Sequence, residues 1–475
     1  MKTNKFYFLF FFGLLLLSSC DKGFEEMNQD PNNPTEIPSD LMIPGITSTA
    51  MNQMYSTFVG GDMGACWSQQ ISKVQYNDEE RFYPRTTVIN SFWDAFYTGT
   101  DGAGNTGVIS DANSMYKLAQ AEGNNNAMGI ALVLKSFGFL VLTDVFGDIP
   151  FSEALKADEG IIAPKYDSQA DVYTGVLAML DEASGLLGTG GAINSTSDVI
   201  YGGNVVLWEK FANSLKFRAL MRISGKVDVS AQLQALYNGG MMFTSNDEEA
   251  KLIYQTSQPN ANPIYETIVY GTRNEFKACS TLTNLMAADP RLPVYFAPVG
   301  ATVVGKVPGV ADVPSPAYNY TNVSAVGSFY LRPEAPGYFM SYAELEFLIA
   351  EASMKAYITG ADAATHYANG ITASFAAANN TPDAASTIAS SPVSLVNIYN
   401  QKYIALYWQG IEAWTEQRRT GYPLLQVVQD ANPSVSYAKR YYYNSIEPSI
   451  NATNYQAAVA NQGADLLSTK VWWMP

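Results

Sequence analysis

Apolar side chains recur at three- and four-residue spacing over most of the chain, a pattern that predicts a mainly α-helical fold. Neighbouring helices pair across short polar breaks, as where Gly123 follows Asp111–Glu122 and precedes Asn126–Phe146. Each pair occupies roughly 34–40 residues, the size of a tetratricopeptide hairpin. A first helix is expected to begin near Asp40, with Ser39 or Asp40 as its N-cap. The other predicted helices are Val88–Tyr97, Ser168–Leu187, Asn204–Ser224, Tyr342–Ile358, Ala361–Ala378 and Val393–Arg418.

Three segments interrupt the helical pattern. Residues 67–87 lack a sustained period and mix aromatic side chains with Gln, Asn and Arg, which predicts a long loop of the kind that often carries function. Residues 239–340 are rich in Gly, Pro, Asn, Val and Tyr, and predict a loop-rich insertion lying on the helical scaffold, with short strands at Thr302–Val307 and Phe329–Arg332. Residues 430–475 form a similar irregular C-terminal segment.

The N-terminus has the pattern of an export signal. Lys2 and Lys5 precede the apolar run Phe6–Leu17, which is shorter than the ~20 residues of a membrane-spanning helix. Leu17-Ser18-Ser19-Cys20 resembles a bacterial lipobox, in which the cysteine sulfur is acylated. We therefore expect a signal peptide at 1–19, a lipid-anchored flexible leader at 20–39 and a globular body at 40–475. The alternative is an ordinary signal peptide with a chance cysteine.

Composition narrows the function further. The chain of 475 residues has a formal net charge of −16, and removal of residues 1–19 takes away two lysines and gives −18. A pI near 4.5 argues against nucleic acid as a partner, because phosphate backbones require basic surfaces. The chain has 30 Tyr, 23 Phe and 7 Trp, and the flat faces of such rings are suited to stacking on sugars, although most must form the core.

Catalytic motifs are absent from the sequence. It contains no Walker loop, no GxSxG elbow, no HExxH and no GxGxxG after a strand. The single histidine, His366, excludes a His-rich metal site and any Ser–His–Asp triad that does not use it. No cofactor is therefore expected. Two acid clusters, Asp78-Glu79-Glu80 and Asp247-Glu248-Glu249, are expected to be solvated charge, with a structural Ca²⁺ ion as the alternative.

Arg418 and Arg419 are expected to pair with scaffold acids or to cap helix carbonyls rather than to bind an anion. Whether Cys66 and Cys279 form a disulfide is left open by the sequence.

Eight segments, in this order, resemble the SusD/RagB family, and most closely its SusD-like branch of starch-binding, outer-membrane associated proteins. Together they span nearly the whole chain after residue 20. In chain order they are the Leu17–Cys20 box, FEEMNQDPNNPTE (24–36), LTDVFGDIPFSEAL (142–155), PKYDSQADVY (164–173), MSYAELEFLIAEA (340–352), GIEAWTEQRRTGYP (410–423), RYYYNSIEPSINATNYQAAV (440–459) and the terminal KVWW (470–473).

The resemblance implies a surface lipoprotein of the outer membrane in Bacteroidetes, and the acids that follow Cys20 resemble the surface-export signal of that phylum. It implies four tetratricopeptide-like helix pairs with a variable lobe. Such a protein forms a lid on a SusC-like TonB-dependent transporter, to which it delivers a captured glycan or, in some members, a peptide. It is not an enzyme.

The family's binding residues are too variable to transfer, so candidates come from the loops. Aromatic platforms beside hydrogen-bonding side chains are what a sugar site needs. The first set, in the 67–87 loop, is Trp67, Tyr76, Asn77, Arg81 and Tyr83. The second set, within residues 318–332, is Tyr318, Tyr320, Tyr330 and Arg332. The other tryptophans are expected in the core. The rival functions are peptide capture, a surface glycosidase that would need two close carboxylates in a cleft, and a scaffold without a small ligand.

Overall fold

The computed structural model describes residues 37–99, 107–311, 317–379 and 384–475, and it is mainly α-helical, as the sequence predicts. The predicted signal peptide, Cys20 and almost all of the predicted leader lie outside these described residues. The longer helices are α1 (Ile43–Met54), α2 (Thr86–Tyr97), α3 (Val108–Glu122), α4 (Asn125–Phe146), α5 (Gln169–Leu186), α6 (Val205–Ile223), α7 (Ser230–Gly239), α8 (Tyr342–Met354), α9 (Ala363–Ala377), α10 (Leu395–Ala405), α11 (Gly410–Thr420) and α12 (Ala452–Gln462).

Short elements fill the connections. The strands form three two-stranded antiparallel ribbons: β1 (Ile71–Lys73) with β5 (Phe276–Ala278), β2 (Ile149–Pro150) with β3 (Tyr166–Asp167), and β4 (Ala250–Leu252) with β6 (Gly337–Met340). The shorter helices and turns are Ser39–Met42, Ala157–Glu159 and Ser328–Leu331 (3₁₀), Thr57–Ala65 and Glu266–Tyr270 (π), and Pro263–Tyr265, Ser280–Leu285, Leu292–Tyr295, Ala384–Ser390 and Glu447–Ile450 (α).

Local signals in the sequence explain where the scaffold helices begin and end. Gly123 ends α3 in a left-handed conformation (φ 68°), and the side chain of Asn124 accepts the Ala127 N–H at the start of α4. Ser168 caps α5 by accepting the Asp171 N–H, and Asn204 caps α6 by accepting the Val206 N–H. The predicted pairing of α3 with α4 and of α8 with α9 is confirmed.

Helix α4 forms the centre of the scaffold. In the described part of the chain it is the one helix whose length and composition would allow it to cross a membrane, yet 94% of its most apolar window is buried. It packs against α3 and α5, and its apolar character is therefore that of a core helix. A second, smaller cluster joins α8, α9 and α10 around Phe347, Tyr367 and Ile371.

Buried ion pairs link the scaffold helices. Both Nη atoms of Arg419 donate to Glu351, at 2.7 and 2.6 Å, and Nη2 also donates to Glu416 at 2.8 Å. Arg418 lies 3.6 Å from the Trp414 ring centroid and donates to the Asp144 carbonyl at 2.9 Å. These two arginines therefore hold the scaffold together, as the sequence predicts.

The structure corrects several expectations. The predicted helix Val393–Arg418 is two helices, because the chain turns between α10 and α11 with Trp408 in the left-handed region (φ 63°). Thr302–Val307 makes only isolated bridges, and Phe329–Arg332 overlaps a 3₁₀ turn, so neither is a strand.

The expected N-cap is also wrong. Ser39 Oγ donates to Glu122 at 2.6 Å, and the Asp40 carboxylate accepts the Asn194 N–H at 2.7 Å, so both side chains make long-range contacts. Cys66 and Cys279 are both buried free thiols.

Candidate ligand-binding site

The register of the β1–β5 ribbon brings two distant parts of the chain together. Lys73 pairs with Phe276 at the end of the ribbon, and the Val74 N–H continues the pairing to the Glu275 carbonyl at 3.1 Å. The same register, extended by two residues, sets Tyr76 opposite Arg273. Accordingly, the Arg273 guanidinium carbon lies 5.3 Å from the centroid of the Tyr76 ring, a cation–π contact.

The predicted loop beyond β1 is held firmly. Trp67 Nε1 donates to the Glu79 carbonyl at 2.7 Å, and the Asn432 N–H donates to the Arg81 carbonyl at 2.8 Å. Tyr76 (φ 53°) and Phe82 (φ 67°) adopt left-handed backbone conformations, which cost ~1–3 kcal/mol each and persist only where the surroundings impose them. Such strain is concentrated at functional sites, which favours this loop as a binding element.

Two of the predicted loop residues serve the core instead. Trp67 is 1% exposed and packs edge-on against Trp414 and Tyr441, so it offers no ring face to a ligand. Asn77 is also 1% exposed and donates through Nδ2 to the Val310 carbonyl at 2.5 Å. The expectation that these two side chains contact a ligand is therefore corrected.

Two of the remaining predicted loop side chains, Tyr76 and Tyr83, line an open cleft of about 470 Å³. Tyr76 is 56% exposed and Tyr83 is 44% exposed, so their rings are the accessible aromatic surfaces of the cleft. Arg81 does not line the cleft. It pairs with Asp78, and its guanidinium carbon is 5.6 Å from the Tyr83 ring centroid. The lining residues are Lys73, Tyr76, Asp78, Glu79, Tyr83, Arg85 and Arg273.

Sequence reasoning missed the cations of the cleft and the ring between them. The guanidinium carbons of Arg85 and Arg273 lie 4.9 and 5.9 Å from the ring centroid of Phe58. Their side chains are 47% and 38% exposed, so both remain available as hydrogen-bond donors. Arg85 follows the aromatic run of the loop, which was a usable signal, whereas only strand pairing could have identified Arg273.

The acids near the cleft are buried or paired. Asp62 is fully buried beneath it, 2.9 Å from Lys73 Nζ and 3.2 Å from Arg85 Nη2. Burial raises the pKa of the Asp62 carboxyl to about 7, although Lys73 acts in the opposite direction. Glu79 is nearly buried and pairs with Arg85 through Nε. The cleft therefore presents aromatic rings and cationic donors rather than a pair of accessible carboxylates.

The second predicted set is divided between two places. Tyr320 is 40% exposed and its hydroxyl donates to Gln75, which places it beside the Tyr76 loop. Tyr318 is half-buried, with Lys306 Nζ 6.0 Å from its ring centroid.

Tyr330 and Arg332 line a different pocket of about 360 Å³, which we call the second pocket. It has no lining residue in common with the cleft, so the structure does not join the two predicted sets into one site.

The two acid clusters also have protein partners. Glu80 accepts Ser72 Oγ at 2.6 Å and the Gly309 N–H at 2.9 Å, and Glu249 lies 2.8 Å from Lys251 Nζ. In the part of the chain that the structure describes, no group of three or more His, Cys, Asp or Glu side chains is placed to hold a metal ion. The suggested Ca²⁺ ion stays an untested prediction.

Comparison with known proteins identifies the family. The SusD-like family model, described as starch-binding and associating with the outer membrane, matches residues 31–444. The chain belongs to this SusD-like family. No curated protein is significantly similar to it in sequence.

Solved structures resemble this SusD-like protein over nearly its full length. A chitin-binding protein is 24% identical with a TM-score of 0.81, over 92% of this chain and 100% of its own. A SusD homologue from Bacteroides fragilis is 24% identical with a TM-score of 0.75, over 92% and 99%. One from Parabacteroides distasonis is 19% identical with a TM-score of 0.80, over 92% and 97%. At these identities the likeness establishes the shared fold.

Proposed function

We propose that this SusD-like protein captures an oligosaccharide in the cleft at the end of the β1–β5 ribbon. The observation that carries the proposal is the exposed pair of rings, Tyr76 and Tyr83, beside the exposed guanidiniums of Arg85 and Arg273. Sugars stack their C–H faces on such rings, and their hydroxyls accept hydrogen bonds from arginine. The family's description as starch-binding supports the same ligand class.

Binding without catalysis is the function we favour over a glycosidase. A glycosidase needs two carboxyl groups ~5–10 Å apart that both reach the glycosidic bond. Asp62 has the raised pKa expected of a catalytic acid, but it is fully buried and paired with Lys73. Glu79 is tied to Arg85. We therefore expect no turnover of chromogenic glycosides.

Delivery to a membrane transporter completes the proposal. The family is described as associating with the outer membrane, and the resemblance of Leu17–Cys20 to a lipobox supports a lipid anchor. We propose that acylated Cys20 tethers the protein at the cell surface, where it covers a SusC-like TonB-dependent transporter and passes its ligand inward. Co-purification of that transporter with the tagged protein tests the partnership, and a pull-down without any transporter would contradict it.

The glycan assignment is tested by calorimetry with a panel of neutral oligosaccharides and a mixture of short peptides. We expect at least one glycan to bind, and Tyr83→Ala to weaken its binding about 2- to 12-fold, because ring contacts contribute ~0.5–1.5 kcal/mol. Tyr270→Ala is the matched control, since Tyr270 is 64% exposed but lies outside the cleft lining. Binding of peptides alone would replace the glycan proposal with peptide capture. Binding of neither class would leave a scaffold role.

The anchor is tested separately by Cys20→Ser in the native host. Loss of the sulfur removes the acylation site, so we expect the variant to move from the membrane fraction to the soluble fraction. Cys66→Ala is the control, because that thiol is buried in the body. A Cys20 variant that stays in the membrane fraction would exclude a lipid anchor at this residue.

A further inference from the structure

The second pocket lies where β6, the 3₁₀ turn Ser328–Leu331 and the break between α10 and α11 meet. Its volume of about 360 Å³ falls within the ~300–1,000 Å³ typical of small-ligand sites. The rings that line it are Tyr55, Phe329, Tyr330, Tyr338, Tyr407 and Trp408.

These rings are fixed before any ligand arrives. The Tyr407 hydroxyl donates to the Tyr295 carbonyl at 2.9 Å, and the Tyr330 ring stands edge-on to Tyr407 at 4.7 Å between centroids. The Tyr338 N–H donates to the Tyr55 hydroxyl at 2.9 Å. Trp408 is held in a left-handed backbone conformation that a bulky residue rarely adopts. A preorganised wall of this kind lowers the entropic cost of binding.

The guanidinium of Arg332 brings free hydrogen-bond donors to the second pocket. Arg332 is stacked on Phe329 at 4.0 Å and donates through Nε to the Phe329 carbonyl at 2.9 Å. This contact fixes the guanidinium, while no described residue accepts a hydrogen bond from its two Nη atoms.

The charges around the pocket define which ligand suits these donors. The charges of Glu249 and Lys251 offset each other, because Glu249 Oε1 lies 2.8 Å from Lys251 Nζ. Glu334 lies at 4.0 Å from Arg332 Nε, too far for a hydrogen bond, so the two Nη atoms stay available. Two acids oppose an anion here: Asp247, exposed at the rim, and Glu334 beside Arg332.

We propose that the second pocket binds a single sugar unit bearing a carboxylate, such as a uronic acid residue of an acidic glycan. The carboxylate takes the paired Nη donors of Arg332, whose planar fork matches it, and the sugar ring lies against the aromatic wall. This rests on the proposed function, because it assigns a second glycan-binding site with its own specificity to the same protein.

The test is calorimetry on the purified full-length protein in detergent, with digalacturonate and the neutral galactose disaccharide as probes. We expect Arg332→Gln to weaken digalacturonate binding roughly 10- to 100-fold, since hydrogen bonds to charged groups contribute most strongly. Asp247→Asn removes one of the two opposing charges and should strengthen digalacturonate binding. Circular dichroism melts confirm that both variants are folded.

The cleft variant Tyr83→Ala separates this proposal from the proposed function. Digalacturonate binding that is retained in Tyr83→Ala and lost in Arg332→Gln supports an independent site in the second pocket. Two results would overturn the proposal for the second pocket and leave the cleft proposal intact. One is digalacturonate binding that is unchanged in Arg332→Gln, and the other is an equal loss of affinity for the neutral and acidic probes in that variant. A dipeptide that binds through Arg332 when digalacturonate does not would overturn the sugar assignment. Failure of every glycan on the panel would instead reject the proposed function.

Discussion

Arg273 lies over the ring of Tyr76 at 5.3 Å, although 196 residues separate them in the sequence. The contact follows from the antiparallel register of β1 and β5, which places them opposite each other just past the ribbon's end. Both residues line the cleft, so Arg273 fixes the ring that we expect a sugar to contact. The pair thereby links the 67–87 loop to the loop-rich insertion at the candidate site.

Energetic coupling between Tyr76 and Arg273 is the first prediction. In a double-mutant cycle on glycan affinity, Tyr76→Ala and Arg273→Ala should be non-additive by about 0.5–1 kcal/mol, the size of an exposed cation–π contact. Isothermal calorimetry on the wild type, both single variants and the double variant gives the coupling. Lys226→Ala, an exposed cation outside the cleft lining, should be additive with Tyr76→Ala. Additivity of Arg273→Ala would show that the contact does not position the ring.

The aromatic bias of the 67–87 loop indicated a segment that lines the cleft, but not which of its aromatic rings are exposed there. Trp67, Tyr76 and Tyr83 are chemically similar, and only tertiary packing separates them: Trp67 lies 5.2 Å from Trp414, while the two tyrosines face solvent. Tyr76 and Tyr83 are exposed and stay predicted ligand contacts, whereas the burial of Trp67 removes it from the predicted site. A single sequence does not show which distant residue packs against each ring, and that packing decides whether the ring is buried.

Helix ends also differ in whether nearby or distant residues determine them. Ser168 and Asn204 begin helices through contacts two or three residues away, which the sequence encodes locally. The break between α10 and α11 has no proline, and glycine occurs only at Gly410, where α11 begins. The distant Gln70 side chain holds this turn instead. Its Nε2 donates to the Leu406 carbonyl at 3.1 Å, and its Oε1 accepts the Trp408 N–H at 3.3 Å. The apolar period continued through that break and therefore predicted one helix.

Asp62 should make stability depend on pH. Burial raises its pKa from 3.8 to about 7, so the native state binds more protons than the unfolded chain between those values. The free energy of unfolding contributed by Asp62 is therefore greatest below about pH 4 and is lost as the pH rises to about 7. In Asp62→Asn we expect a smaller fall in stability over that window, measured by urea unfolding at several pH values.

Glu159→Gln is the control for this pH dependence, because Glu159 is an exposed acid that should leave the slope unchanged. An Asp62→Asn variant with the full wild-type slope would assign the pH dependence to other groups.

Arg419 should be essential to the scaffold. It is buried and bonds both Glu351 and Glu416, so Arg419→Met leaves two carboxylates without this partner. Removing one member of a buried pair costs about 3–5 kcal/mol, and we expect a loss of that size in urea unfolding. Lys117→Met is the contrasting variant, because its pair with Asp158 is exposed at 3.1 Å and should hardly affect the unfolding midpoint. Equal effects of the two variants would contradict the structural role of Arg419.

Substitution by alanine should change the free energy of unfolding in opposite directions at Gly410 and Gly185. A Cβ atom at Gly410 would lie 2.0 Å from the Gly60 carbonyl oxygen, and backbone cannot move aside cheaply. We expect Gly410→Ala to lower the free energy of unfolding by about 3 kcal/mol or more. Gly185 is exposed within α5 with nothing within 4 Å, so Gly185→Ala should raise it by about 0.5–1 kcal/mol.

Urea unfolding of both glycine variants measures these changes, and a shift of the same sign in both would refute the close approach. The contact matters for function because it joins α11 to the π-helix Thr57–Ala65, which carries Phe58 and Asp62 at the cleft. Gly410 also follows the turn that places Trp408 in the second pocket. Folded Gly410→Ala protein should therefore bind more weakly at both sites, whereas Gly185→Ala should bind as the wild type does.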